Sequence, residues 1–222
     1  MILVVGAEKG GVGKTLLSTN LAVLAANDGI EVLLMDTDLQ GSSSSWARIR
    51  NENGVTPTIP VMALPHNPVN ELASLAPKYD LIVVDIGAQN YLTMQNTAAI
   101  ADMILIPVGP DQFEVESTLQ VSQVLKGMDA RHKNGKIPAF IVLNNLPTNP
   151  KSKEASGLRS VFTEEDYPVF DAGLCHRSSW RNSRRSGLAI HELGGASKDA
   201  KASAEMLAIY EEIKTRLGAQ NG

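Results

Sequence analysis

Ile2-Leu3-Val4-Val5-Gly6-Ala7-Glu8-Lys9-Gly10-Gly11-Val12-Gly13-Lys14-Thr15 is the stretch on which the reading of this chain turns. Four apolar, mostly β-branched residues run into a glycine-rich segment that ends in Lys-Thr. A short continuous apolar run reads as a strand buried on both faces. Glycines let the next residues curl so that successive N–H groups point at one anion. Residues 8–15 fit the phosphate-loop pattern G-x-x-x-x-G-K-[ST], with Glu8 in place of the first glycine. A helix expected from residue 14 to 27 adds its positive N-terminal end. The pattern predicts nucleotide binding: Gly10, Gly11, Val12, Gly13 and Lys14 around the phosphates, and the Thr15 hydroxyl on Mg²⁺.

Outward from this loop, further apolar runs follow at 31–35, 81–84, 103–108 and 139–143, with a weaker one at 59–64. Helical stretches are expected between them at 91–100, 112–130 and 151–165. Such alternation predicts an α/β fold of the P-loop NTPase kind, a mostly parallel twisted sheet with helices on both faces. The Gly-Ser-Ser-Ser-Ser run at 41–45 is expected as a loop into a helix around Trp46, with a serine as its N-cap.

A length of 222 residues suits one domain spanning 1–222, and 43 % hydrophobic with 20 % charged residues excludes a disordered chain. No apolar run is long enough to span a membrane, and the N-terminus lacks the basic and apolar regions of a signal peptide. A cytoplasmic location is expected. The single cysteine, Cys175, excludes an internal disulfide and any cysteine-built metal or cluster site. His66, His132, His176 and His191 show no ligand spacing.

Ligands of an open parallel sheet bind beyond the carboxyl ends of its strands. Asp36 and Asp38 follow the run 31–35, and Asp85 follows 81–84. All three carboxylates are therefore expected beside the phosphate loop. Thr15, Asp36 and Asp85 offer the oxygen donors that a hard cation such as Mg²⁺ takes.

Lys9-Gly10-Gly11-Val12-Gly13-Lys14-Thr15, with its second lysine, resembles the deviant Walker A motif of the ParA/MinD family of ATPases. The resemblance implies an ATP-dependent sandwich homodimer in which Lys9 reaches the partner's nucleotide, a role akin to an arginine finger. Asp36-Thr37-Asp38-Leu39-Gln40 resembles the family's first switch, which implies that Asp38 orients the attacking water. Lys9, Lys14 and Asp38 then form the catalytic set. Asp85 resembles the Walker B aspartate, and Gly87 the second-switch glycine that senses the γ-phosphate. Asn144 or Asn145 falls where the family reads adenine. Leu39 stands where proline is usual, and Ile86-Gly87-Ala88 replaces a commoner Thr/Cys-Pro-Pro. With the first strand at residue 2, the chain looks like the short form that lacks an N-terminal helix-turn-helix.

Arg177, Arg181, Arg184 and Arg185 lie within nine residues, and no acid occurs between Asp171 and Glu192. On a helix the four share one face about 100° wide. In a chain of net charge −4 such a patch suits phosphate backbones and predicts sequence-independent DNA binding. The DNA-binding residues of the family lie in the same region.

The expected function is an ATP-driven partition or positioning cycle. Mg-ATP closes a dimer, the dimer binds non-specific DNA on the nucleoid, and hydrolysis stimulated by a ParB-like adaptor releases it. Two other readings are a MinD-like membrane-associated regulator and an ATP-dependent small-molecule synthetase. The membrane reading needs a basic amphipathic C-terminal helix, whereas residues 198–217 hold four basic and four acidic residues. Their apolar stripe, Ala202, Met206, Ile209, Tyr210, Ile213 and Leu217, is expected to pack on the body of the protein. No membrane partner is expected.

Overall fold

Ile2–Val5 forms β1 at the centre of a seven-stranded sheet, in a computed structural model that describes residues 1–64, 68–88, 90–149 and 151–220. His66 lies outside the described residues. The other strands are β2 (Val32–Asp36), β3 (Val61–Ala63), β4 (Leu81–Asp85), β5 (Met103–Val108), β6 (Ala139–Leu146) and β7 (Val169–Cys175). The order is β3-β2-β4-β1-β5-β6-β7, and every pairing is parallel. Parallel neighbours need crossovers, which helices supply on both faces. These are α1 (Lys14–Asn27), α2 (Ser42–Glu52), α3 (Val69–Leu75), α4 (Tyr91–Ala98), α5 (Gln112–Gly127), α6 (Glu154–Glu164), α7 (Ser178–Arg185) and α8 (Ala200–Gln220).

Side chains of β1 alternate between two cores, as the period of a strand requires. Leu3 and Val5 join Leu17, Leu21, Trp46, Met206 and Ile209 on the face of α1, α2 and α8. Ile2 and Val4 join Leu72, Met94, Val121, Leu125 and Phe162 on the face of α3 to α6. Two-sided burial explains why the central strands read as continuous apolar runs. The stripe of α8 is buried against the body, and no described helix is long and apolar enough to cross a membrane.

Several sequence boundaries move. β2 runs one residue further than 31–35 and takes in Asp36, and β4 takes in Asp85. β6 continues past 143 to Leu146, so Asn144 and Asn145 lie in the strand rather than after it, where its register with β7 slips. Helix 112–130 stops at Gly127, and 151–165 shortens to Glu154–Glu164. The short helix α3 and the edge strand β7 are elements the apolar pattern did not mark. β7 is half-exposed and interrupted by Asp171. Its free edge is capped from α8: Glu212 accepts hydrogen bonds from the Asp171 and Ala172 N–H groups, and Glu205 from that of Cys175.

Candidate nucleotide site

Register assembles the site. Val5 pairs with Asp85, and Asp85 pairs with Asp36, so both carboxylates stand beside the end of β1 where the phosphate loop begins. The loop turns through left-handed backbone at Gly11 (φ 81°) and Gly13 (φ 100°), and α1 starts immediately after. Lys14 is buried and its Nζ donates to the Lys9 carbonyl at 2.6 Å, inside the curl of the loop. Burial lowers its pKa, while Asp85 and Asp38 pull it back up. Glu8, in the position of the missing glycine, accepts a hydrogen bond from Ser117 of α5 at 2.7 Å.

Asp85 is buried at the end of β4. Its Oδ2 accepts hydrogen bonds from Thr15 at 2.8 Å and Ser43 at 2.6 Å. Its Oδ1 is buried with no hydrogen-bond partner among the described residues. Burial raises its pKa from 3.8 to about 6, against the lowering effect of the two hydroxyls. An orphaned carboxylate oxygen beside a threonine hydroxyl is a donor set that fits a hard cation. Asp36 is held differently: Oδ1 accepts from the Asp38 N–H at 3.1 Å, and Oδ2 from the N–H and hydroxyl of Ser44, each at 2.8 Å. With both oxygens engaged, Asp36 is suited to a water shell more than to direct ligation. Among the described residues no three His, Cys, Asp or Glu side chains converge as a protein-only metal cage, so the remaining ligands would come from phosphates and water.

The two switch segments touch. Thr37 donates its hydroxyl to the Asp85 carbonyl and accepts the Gly87 N–H, both at 3.1 Å. A Cβ on Gly87 would stand 2.8 Å from the Asp38 Cα, so only glycine fits there. Asp38 is half-exposed on the cleft, and its Oδ1 accepts from the Gln40 N–H at 2.9 Å.

The cleft, about 310 Å³, runs from the loop and Asp38 to Asn144, Asn145, Cys175 and His176. Asn144 is buried and donates to the Val12 carbonyl at 2.6 Å. Asn145 is exposed, at φ 57°, and bonds His176 at 2.5 Å. Both asparagines therefore border the cleft, the first tied to the loop and the second to the strand end of β7. Arg181 and Arg184 of α7 line the same cleft.

Two expectations are corrected here. Residues 42–45 are already helix: Gly41 is the N-cap, and the hydroxyls of Ser43 and Ser44 are engaged by Asp85 and Asp36 instead of capping. Arg177 precedes α7 in extended backbone and pairs with Glu205, with side chains only 15 % and 19 % exposed. The free arginine face is thus Arg181, Arg184 and Arg185, all exposed and without an acidic partner among the described residues. Lys9 is likewise exposed, with no partner for its amine among the described residues. Ser43, Ser44 and Glu8 are contributors that the sequence reading missed; a serine's partner 42 residues away leaves no local trace.

The family described as CobQ/CobB/MinD/ParA nucleotide binding domain matches residues 3–190. This chain belongs to that family. It is 30 % identical over 202 residues to the maintenance of carboxysome distribution protein A of Halothiobacillus neapolitanus, covering 89 % of this chain and 90 % of that protein. It is 27 % identical over 163 residues to the chromosome partitioning protein ParA of Myxococcus xanthus, covering 56 % and 57 %. Among solved structures, the ATP complex of the D38A variant of Cyanothece McdA superposes with a TM-score of 0.71 at 17 % identity, over 98 % of this chain and 96 % of that one. The septum site-determining protein MinD of Pyrococcus horikoshii with Mg-ADP gives 0.72 at 21 % identity, over 98 % and 97 %. The fold is that of the ParA/MinD nucleotide-binding proteins.

Proposed function

We propose that this chain is an ATP-dependent partition or positioning ATPase, one domain over 1–222, that works as a nucleotide-closed homodimer. The observation that carries the reading is the pairing of a buried Lys14, beside Asp85 and Asp38, with an exposed Lys9 on the same loop whose amine has no partner among the described residues. Lys14 serves the phosphates of its own subunit; Lys9 is free to serve those of a second copy. Gly10, Gly11, Val12 and Gly13 present backbone N–H groups to the phosphates, Gly87 follows the γ-phosphate, and the Asn144–Asn145 end of the cleft takes the base. Asp38 accepts a hydrogen bond from the attacking water and orients it. Thr15 and Asp85, with Asp36 on the water shell, would hold Mg²⁺, which supplies charge neutralisation at the phosphates. Turnover is slow until an adaptor of ParB type completes the site.

Arg181, Arg184 and Arg185 form the non-specific DNA surface, doubled in the dimer, which places the ATP-bound protein on the nucleoid. The names of the relatives span carboxysome distribution and chromosome partitioning, so the adaptor sets the cargo. The buried stripe of α8 speaks against a membrane-bound regulator.

The test is binding to random-sequence duplex DNA with ATP, ADP or no nucleotide, over a salt series. Binding that requires ATP and falls steeply with salt is expected. Arg181→Glu should remove it with dimerisation intact, and Lys9→Ala should remove dimerisation with nucleotide still bound. DNA binding unchanged by Arg181→Glu would sink the arginine surface.

A further inference from the structure

Helix α2 is fastened at both ends to regions far apart in sequence. At its start, Ser43 holds Asp85 and Ser44 holds Asp36, through three hydrogen bonds of 2.6 to 2.8 Å. From its middle to its C-cap, five side-chain hydrogen bonds reach the segment that follows α7. Trp46 Nε1 donates to the Leu188 carbonyl at 3.3 Å, and Asn53 Nδ2 to that of Ser186 at 3.2 Å. Arg50, fully buried, donates to the Gly187 carbonyl at 3.1 Å and grips Glu192 with two bonds of 2.7 Å. The approach leaves no slack: a Cβ on Gly187 would meet the Arg50 Cα at 2.7 Å. From Ser43 to Asn53 the chain is continuous helix or cap, about 15 Å of stiff rod.

We infer that α2 is a strut: Ser43 and Ser44 are positioning residues for the two carboxylates, and the helix carries their displacement to residues 186–192 and the arginine helix α7. The inference rests on the nucleotide-site reading and not on DNA binding. The orphaned oxygen of Asp85 would find a partner in a bound cation, and its other oxygen, shared by Thr15 and Ser43, would settle accordingly. A helix that cannot bend must then move as a whole, and its other end is bolted to the turn that ends α7. Arg181 and Arg184 border the same cleft, so a small shift of α7 changes what they face.

Amide hydrogen exchange of residues 178–192, measured on the full chain with and without Mg-ATP, tests this. Nucleotide occupancy is measured in parallel with a fluorescent ATP analogue. In the wild type, exchange across this segment should change roughly fivefold or more on binding, the low end of ordinary site-to-site coupling. The Ser43→Ala/Ser44→Ala double variant, compared with wild type at equal nucleotide occupancy, should lose that response. Glu192→Gln, which loosens the opposite end out of reach of the nucleotide, should lose it too. Ser44→Thr, which keeps the hydroxyl, should retain it, an outcome that a purely structural role for Ser44 does not require. A wild-type response in both disrupting variants, or an unresponsive segment in nucleotide-bound wild type, overturns the strut. Failure of the wild type to bind nucleotide overturns the site reading instead.

Discussion

Replacing Asp85 by asparagine should stabilise the nucleotide-free protein, in a way that only alkaline or neutral conditions reveal. The carboxyl is fully buried, and its pKa rises from 3.8 to about 6. Well below pH 3.8 the group is protonated in both folded and unfolded chains and costs nothing. Between about pH 4 and 6 the unfolded chain ionises while the folded site resists, so folding loses free energy as pH rises. Above the folded pKa the penalty is constant. A rise of about two units corresponds to roughly 3 kcal/mol. The Asp85→Asn substitution removes this penalty but leaves an amide where an oxygen was already unpaired, so the net gain at pH 8 is set at about 1–3 kcal/mol. Urea denaturation of both proteins from pH 4 to 8, without nucleotide or divalent cation, measures it. The stability difference should grow by roughly 2 kcal/mol across that range, most of the full linkage value, because at pH 4 the unfolded carboxyl is already partly ionised. Added Mg-ATP should then stabilise the wild type more than the variant, reversing or narrowing the gap. A difference that does not change with pH, or a variant less stable than wild type at pH 8, would refute the reasoning that ionising this buried carboxylate costs folding free energy.

Gly87→Ala should cost about 1–3 kcal/mol in urea denaturation and suppress ATP hydrolysis, because the new methyl collides with the Asp38 backbone. Arg177→Ala should lower stability by about 1–3 kcal/mol by stripping Glu205 of its charged partner, while leaving the salt slope of DNA binding in place. Cys175 borders the cleft and its thiol is pushed up by burial and by Glu205. Maleimide labelling at pH 8.5 should therefore be slow in the free protein and slower still with Mg-ATP; acceleration by nucleotide would place the bound nucleotide elsewhere.

The phosphate loop and the three carboxylates were legible because their chemistry is local: a strand, a spacing and a residue type suffice. The sheet was legible where strands are buried on both sides, as in Leu81–Asp85 and Met103–Val108, and failed at β7. That strand owes its place to Glu205 and Glu212 on a helix some 30 to 40 residues later, a dependence that propensity does not register. Ser43 and Ser44 misled for the same reason, since a hydroxyl that suits an N-cap serves equally well as a donor to a carboxylate from another strand. Arg177 looked like its neighbours on a helical wheel, but the helix begins one residue later and Glu205 claims it. Periodicity finds faces; it does not find partners.

The carboxylates of Glu205 and Glu212 also bear on edge-to-edge pairing between copies of this protein. An unguarded outer strand is a template for another chain's backbone, and that is how sheets extend from molecule to molecule. Here the N–H groups of Asp171, Ala172 and Cys175 on the β7 side are already taken, and the opposite margin, β3, is only three residues long. Lateral growth of the sheet is closed off at β7 and offers little purchase at β3. The homodimer proposed above uses a different surface, the loop-bearing end of the strands, where association would depend on a bound ligand and be undone when that ligand is consumed.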